Sequence, residues 1–180
     1  MVPPTSIQLT DAIVTATRTA VSRLFRQHPE RFYYCSLITT GEAHAPYLSA
    51  WSEEALEAAA QSDPDPASAR EMLKWSYADS PFCCFGQEHF GTVRALFEDR
   101  PAMDHRNPEQ WEAEWQFRVR AMEAAVAQLD REGLFGRGHD RAKIVVNVDV
   151  MPPDVTNTER ARRLNPPEAI SDWLVEAAEQ

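Results

Sequence analysis

The sequence predicts an α+β fold: a single domain over residues 1–180, with a small, largely antiparallel sheet of about three to four strands covered by several helices. Three observations carry this expectation. Long stretches repeat apolar residues at three- and four-residue steps, β-prone runs are few, and the two patterns do not alternate as a βαβ series would. A length of 180 residues suits one domain. With 43% apolar and 26% charged residues the chain has the composition of a protein that buries a core.

The first long element is a helix over Ser6–Gln27, with Leu9, Ile13, Ala16, Ala20 and Leu24 on one stripe, Thr5 or Ser6 as its cap and His28-Pro29 as its stop. Arg31–Thr39 is aromatic and β-branched, which predicts a strand buried on both faces. Thr40–Ala45 is a turn, and Pro46–Trp51 returns as a second strand, so the two form an antiparallel hairpin. Ser52 caps a helix to Gln61 whose Glu53 and Glu54 suit the positive end of its dipole. Asp65-Pro66 opens another helix to Trp75, and Ser76–Gly86 is irregular. A helix over Gln87–Glu98 carries Phe90, Val93, Leu96 and Phe97 on one side.

Asn107-Pro108-Glu109 is the clearest helix start in the chain. Trp111, Trp115, Met122, Val126 and Leu129 follow at helical spacing, which places both tryptophans on the buried side. Gly133 ends that helix, and Lys143–Val150 is a strong strand. A lone hairpin is marginal, so this strand is expected to join Phe32–Thr39 in one sheet. Asn147 and Asp149 share one of its faces, either flanking a site or marking the solvent side. Thr156–Leu164 reads as a short helix, and Asn165-Pro166-Pro167-Glu168 as the cap of a last one carrying Ile170, Trp173 and Leu174.

No cofactor, metal or catalytic group is expected. Cys83, Cys84 and His89 form the only cluster with ligand chemistry, and it lacks the paired spacing of a zinc site; Phe82–Phe85 reads instead as an apolar patch. Cys84 with His105 and Asp104 would be a conceivable nucleophilic set, but no flanking motif supports it. The glycines of Gly133–Gly138 follow a helix and precede a strand, the reverse of a nucleotide-binding loop.

Charge excludes further classes. With 18 basic and 28 acidic residues the net charge is -10, which disfavours nonspecific binding to nucleic acid or an anionic membrane. No apolar run approaches the ~20 residues of a spanning helix. The first residues show no basic region followed by an apolar core, and three cysteines, two of them adjacent, make a poor disulfide framework. A reduced, cytoplasmic setting is therefore expected.

The acids are unevenly spread. Glu42–Glu88 holds nine acidic and two basic side chains, a net charge of -7, interleaved with Trp51, Trp75 and Tyr77. Acid around aromatic anchors suits the docking of a basic protein. The candidate contact residues are Glu53, Glu54, Glu57, Asp63, Asp65, Trp75 and Tyr77. The alternative is a solvated acidic face over core tryptophans.

Four stretches, in this order and spacing, resemble a bacterial family known only as domain of unknown function 4303. They are Phe32–Leu37 after an opening helix, Trp51–Leu56 after a second strand, Leu73–Ser76, and Leu129–Gly136 with the following strand and Arg163–Pro167. The family has no assigned chemistry. The resemblance implies a small cytoplasmic accessory protein, and several such families act as immunity proteins beside secreted toxins. The expectation is a non-enzymatic domain that binds and neutralises a basic toxin. The alternative is a small-molecule-binding or enzymatic domain with an unrecognised site.

Overall fold

Thr5 starts α1 (Ser6–Gln27) with a capping box, in which its hydroxyl accepts from the Gln8 N–H and the Gln8 side chain accepts from the Thr5 N–H. The structure, a computed structural model, describes residues 2–179. The next elements are β1 (Phe32–Thr40), β2 (Tyr47–Ser52), α2 (Glu53–Ala60), α3 (Pro66–Leu73) and α4 (Gly91–Glu98). They are followed by α5 (Pro108–Glu132), β3 (Val145–Met151), α6 (Val155–Leu164) and α7 (Ser171–Glu176). Ser52, Asp65 and Asn107 cap α2, α3 and α5 as their positions predict. At Gly133, φ of 87° gives the left-handed turn that closes α5, and the Leu134 N–H donates back to the Leu129 carbonyl.

The strands form one sheet in the order β2-β1-β3. The β1–β2 hairpin is antiparallel, pairing Ser36 with Ser49. The expected union of β1 with β3 is present, but the pair is parallel, matching Ser36 to Asn147 and Ile38 to Asp149. The sheet is therefore mixed rather than largely antiparallel. The long helical connection between β1 and β3 is what permits the parallel pairing.

One face of the sheet, through Cys35, Leu37, Leu48, Ala50, Val146 and Val148, joins Leu9, Ile13, Ala20 and Leu24 of α1 and Met122, Ala125 and Leu129 of α5 in the main core. The opposite face carries Tyr34, Trp51 and Val145 against Leu56 of α2, Ala161 of α6 and Trp173 of α7. Beside the apolar Ile38, the same face buries four polar side chains, Ser36, Ser49, Asn147 and Asp149. Both faces being covered, the Asn147–Asp149 side is not a solvent face.

The open edge of β3 is covered by side chains that act as a further strand. Asn157 exchanges hydrogen bonds with the Val150 N–H and carbonyl at 2.9 and 3.0 Å. Asn165 does the same with Val146 at 2.9 and 2.6 Å, and Arg160 donates to the Val148 carbonyl between them at 2.8 Å. Asn165 is thus an edge cover and not the cap of the last helix; a 3-10 turn over Pro167–Ala169 precedes α7. An edge so paired offers no template for another strand.

The first half of α5 departs from the sequence expectation. Its buried residues are Glu114, Arg118 and Val119, ahead of Ala121, Met122, Ala125, Val126 and Leu129, while Trp111 and Trp115 flank that stripe and are half-buried. Glu114 receives Arg100 and Arg118 together, with Nε distances of 3.0 and 2.8 Å. Arg118 also donates to the Pro101 carbonyl, and the Arg100 guanidinium lies 3.8 Å from the Phe117 ring centre. Among the described residues, no helix is long and apolar enough to cross a membrane.

Candidate functional site

The residues singled out from the acidic segment fall in two groups. Glu53, Glu54 and Glu57 on α2 are met by cations. Glu53 pairs with Arg70 at 2.7 Å, Glu57 lies 3.9 Å from the same side chain, and Glu54 pairs with Arg31 at 2.8 Å. The Arg31 side chain and backbone N–H hold the Glu54 carboxyl down to about 2. Asp63 and Asp65 lie in the α2–α3 connection, exposed, and bond only backbone N–H groups: Asp63 takes that of Asp65, and Asp65 that of Ser68. Glu71 and Asp79 are likewise exposed, and among the described residues none of these four carboxylates has a cation partner. Met72, at 71% exposure, follows Glu71 on α3.

Trp75 and Tyr77 belong to the irregular segment after α3, which side chains from the sheet pin in place. The Tyr33 hydroxyl donates to the Lys74 carbonyl at 2.6 Å, the Trp51 indole to Ser76 at 2.7 Å, and the Ser49 hydroxyl to Tyr77 at 2.8 Å. Trp51 is therefore a buried clamp and not a surface anchor. Trp75 stands edge-on to Tyr33 and Tyr34 and donates its indole N–H to Glu176 at 2.8 Å. Lys74 reaches Glu176 at 2.6 Å.

Trp75 and Tyr77 meet β3 and α7 at a cavity of about 250 Å³. Tyr34 and Trp173 complete its aromatic wall, and among the described residues its charged lining is Asp149 and Glu179. Asp149 lies at the bottom, 5% exposed. Its carboxylate accepts from the Tyr34 hydroxyl at 2.8 Å, the Ser36 hydroxyl at 2.6 Å and the Asn147 amide at 2.6 Å, all neutral donors. The amide oxygen of Asn147 is itself buried without a partner. Arg160 attracts Asp149 through space, yet its own nitrogens donate to Val148, Thr156 and Asn157. Burial raises the Asp149 carboxyl above its ordinary range, against the Ser36 and Tyr34 hydrogen bonds and the Arg160 charge. The same burial raises the Tyr34 hydroxyl, and the adjoining carboxylate adds to that shift.

A family model described as Domain of unknown function (DUF4303) matches residues 13–166. The chain belongs to that family. The match runs from α1 to just past α6, so it contains β1, β3 and the Asn157–Asn165 edge cover, while Trp173 and Glu179 lie beyond it. No curated protein and no solved structure matches the chain significantly.

The other constellations do not assemble into sites. His105 contacts Glu42 at 3.0 Å and stacks on Trp111, and Asp104 is taken up by Arg106, so neither is joined to Cys84. Cys83 and Cys84 are free thiols 3.8 Å apart, and burial pushes Cys83 up to about 11. Among the described residues, no group of three His, Cys, Asp or Glu side chains is placed to hold a metal ion.

Asp149 stood out in the sequence only with Asn147, as a residue flanking a site or marking a solvent face, and Tyr34, Ser36 and Trp173 were not singled out as site residues. A signal existed: Tyr34 and Ser36, like Asn147 and Asp149, are polar residues two apart on strands otherwise rich in apolar ones. A buried polar stripe and a solvated one share that alternation, and only the helices over it distinguish them.

Proposed function

We propose that the protein acts by binding a basic protein partner on the surface made by α2, α3 and the segment to Asp79, and that this partner is a toxin neutralised in the bacterial cytoplasm. The observation that supports the binding surface is the exposure of Met72 and part of Trp75 in one chain segment with Asp63, Asp65, Glu71 and Asp79, four exposed carboxylates without cation partners among the described residues. Exposed acids steer a cationic partner to the surface, and apolar and aromatic side chains hold it there. The toxin follows from the family resemblance, not from geometry.

The test is kinetic. The chain is co-purified with the product of the adjacent gene, and association is followed at low and high salt. Steering by the acidic surface slows association at high salt, where charges are screened beyond ~8–10 Å. A Glu57→Lys/Glu71→Lys variant slows it further, and Met72→Ala mainly speeds dissociation. Rates indifferent to salt and to charge reversal remove this surface from the interface.

The second function, a small-molecule site, has one observation in its favour: the cavity over Asp149, where polar and aromatic side chains converge.

A further inference from the structure

We infer that the Asp149 cavity receives the cationic end of a lysine or arginine side chain, presented by the basic partner proposed above. The inference rests on that proposal for the source of the cation, and on the cavity alone for its chemistry.

Four features select this occupant. The cavity, at about 250 Å³, is smaller than the ~300–1,000 Å³ of sites for drug-sized ligands, so it fits a side chain rather than a larger molecule. Among the described residues its charged lining is acidic only, Asp149 and Glu179, which repels anions. The Asp149 carboxylate is hydrogen-bonded by neutral groups alone, so a neutral occupant would leave it without a directly bound counter-charge. The wall is aromatic, from Tyr34, Trp75, Tyr77 and Trp173, which suits both a cation over ring faces and the apolar stem behind it.

Two of the chain's own cations that act on this site, Lys74 and Arg160, are committed elsewhere. Lys74, 5.2 Å from the Trp75 ring centre, is held by Glu176, and Arg160 is spent on the edge of β3. Position agrees with the proposed surface. Trp75 also lines the neighbouring groove of α3 with Glu71 and Lys74, so a partner seated on α3 has the cavity at its margin.

The chemistry is tested without the partner. The full chain is titrated with n-butylammonium, n-butylguanidinium and neutral n-butanol while the indole N–H resonances are recorded by NMR. Saturable shifts at Trp75 and Trp173 are expected for the cations, with Trp111 and Trp115 unmoved and butanol at least about tenfold weaker, the loss of one charged hydrogen bond. Asp149→Asn keeps an oxygen for Tyr34 and Ser36 and is expected to weaken the cations about 10- to 100-fold. Trp75→Leu, at a half-buried position, weakens them about 2- to 30-fold and decides the matter should Asp149→Asn not fold. Equal shifts by butanol, shifts at Trp111 as large as at Trp173, or cation affinities untouched by the folded variants would overturn the inference.

A second arm identifies the source. With the partner, Asp149→Asn is expected to speed dissociation about tenfold or more and to leave association unchanged. Butylammonium binding with an unchanged dissociation rate would assign the cavity to a free amine and overturn the lysine or arginine anchor. A flat titration beside salt-dependent association sinks the cavity and spares the acidic surface. The reverse outcome, a saturable titration beside salt-independent association, spares the cavity's cation chemistry and sinks the surface.

Discussion

Glu114 and Asp149 are equally buried, each 5% exposed, and the fold treats them in opposite ways. Glu114 lies beside the main core with two guanidinium groups on it. Burial pushes its carboxyl up, but the hydrogen bonds from Arg100 and Arg118 outweigh that and hold it below the ordinary range. Asp149 lies on the opposite side of the sheet with three neutral donors, and there burial prevails. The difference teaches where the chain secures its structure and where it keeps a charge in reserve. A carboxylate closed by arginines has nothing left to offer a ligand. One facing an aromatic cavity without an ion pair costs stability whenever it is ionised, and leaves its charge open to a ligand.

The sharpest way to break this contrast is to remove the paired acid. Glu114→Ala leaves two guanidinium groups largely buried and uncompensated, and is expected to cost about 3–5 kcal/mol in denaturant melts. The pH dependence has a definite sign. Because the folded carboxyl of Glu114 is depressed, its contribution is full above the unfolded value near 4.5 and is lost as pH falls through the lower folded one. Acid unfolding of wild type but not of a Glu114→Gln variant should show that step.

Smaller effects sharpen the account of each side. Trp115→Ala is expected to cost about 1.5–3 kcal/mol, the burial of one large apolar side chain rather than a full core cavity, because Trp115 is half-buried against Ala43, Val119 and Val150. A loss above about 4 kcal/mol would return Trp115 to the core. Asn165→Ala strips the Val146 N–H and carbonyl of their partners, and a loss of about 1–3 kcal/mol is expected, with faster hydrogen exchange along β3. Exchange at β3 that ignores this substitution would show that the edge is covered by something other than these amides.

Much of the architecture was legible from the residues alone: the caps of α1, α2, α3 and α5, the hairpin, and the union of β1 with β3. The direction of β3 was not, because strand direction follows from the path of the intervening helices and leaves no mark on β3 itself. Trp111 and Trp115 misled because a periodicity count rewards tryptophan and penalises Glu114 and Arg118, which become buriable only when Arg100 arrives from outside the helix. Asn165 looked like a cap because asparagine before proline usually is one; its use as a strand substitute needs β3 alongside. Of the candidate contact residues, Trp75 and Tyr77 do meet in one cavity, but the group at its base, Asp149, lies 72 residues further along than Tyr77 and is brought there by the parallel pairing.

The central claim is that Asp149 is a buried acid without an ion pair, whose ionisation costs the fold stability. The most direct measurement is the stability of wild type relative to Asp149→Asn as a function of pH. A carboxyl with a raised folded value is harmless below the unfolded value near 3.8, and its cost accumulates as pH rises from there through the higher folded one. Wild type should therefore lose stability relative to the variant between acid and neutral pH. A difference that stays constant over that range, or one that turns in favour of wild type as pH rises, would contradict the account.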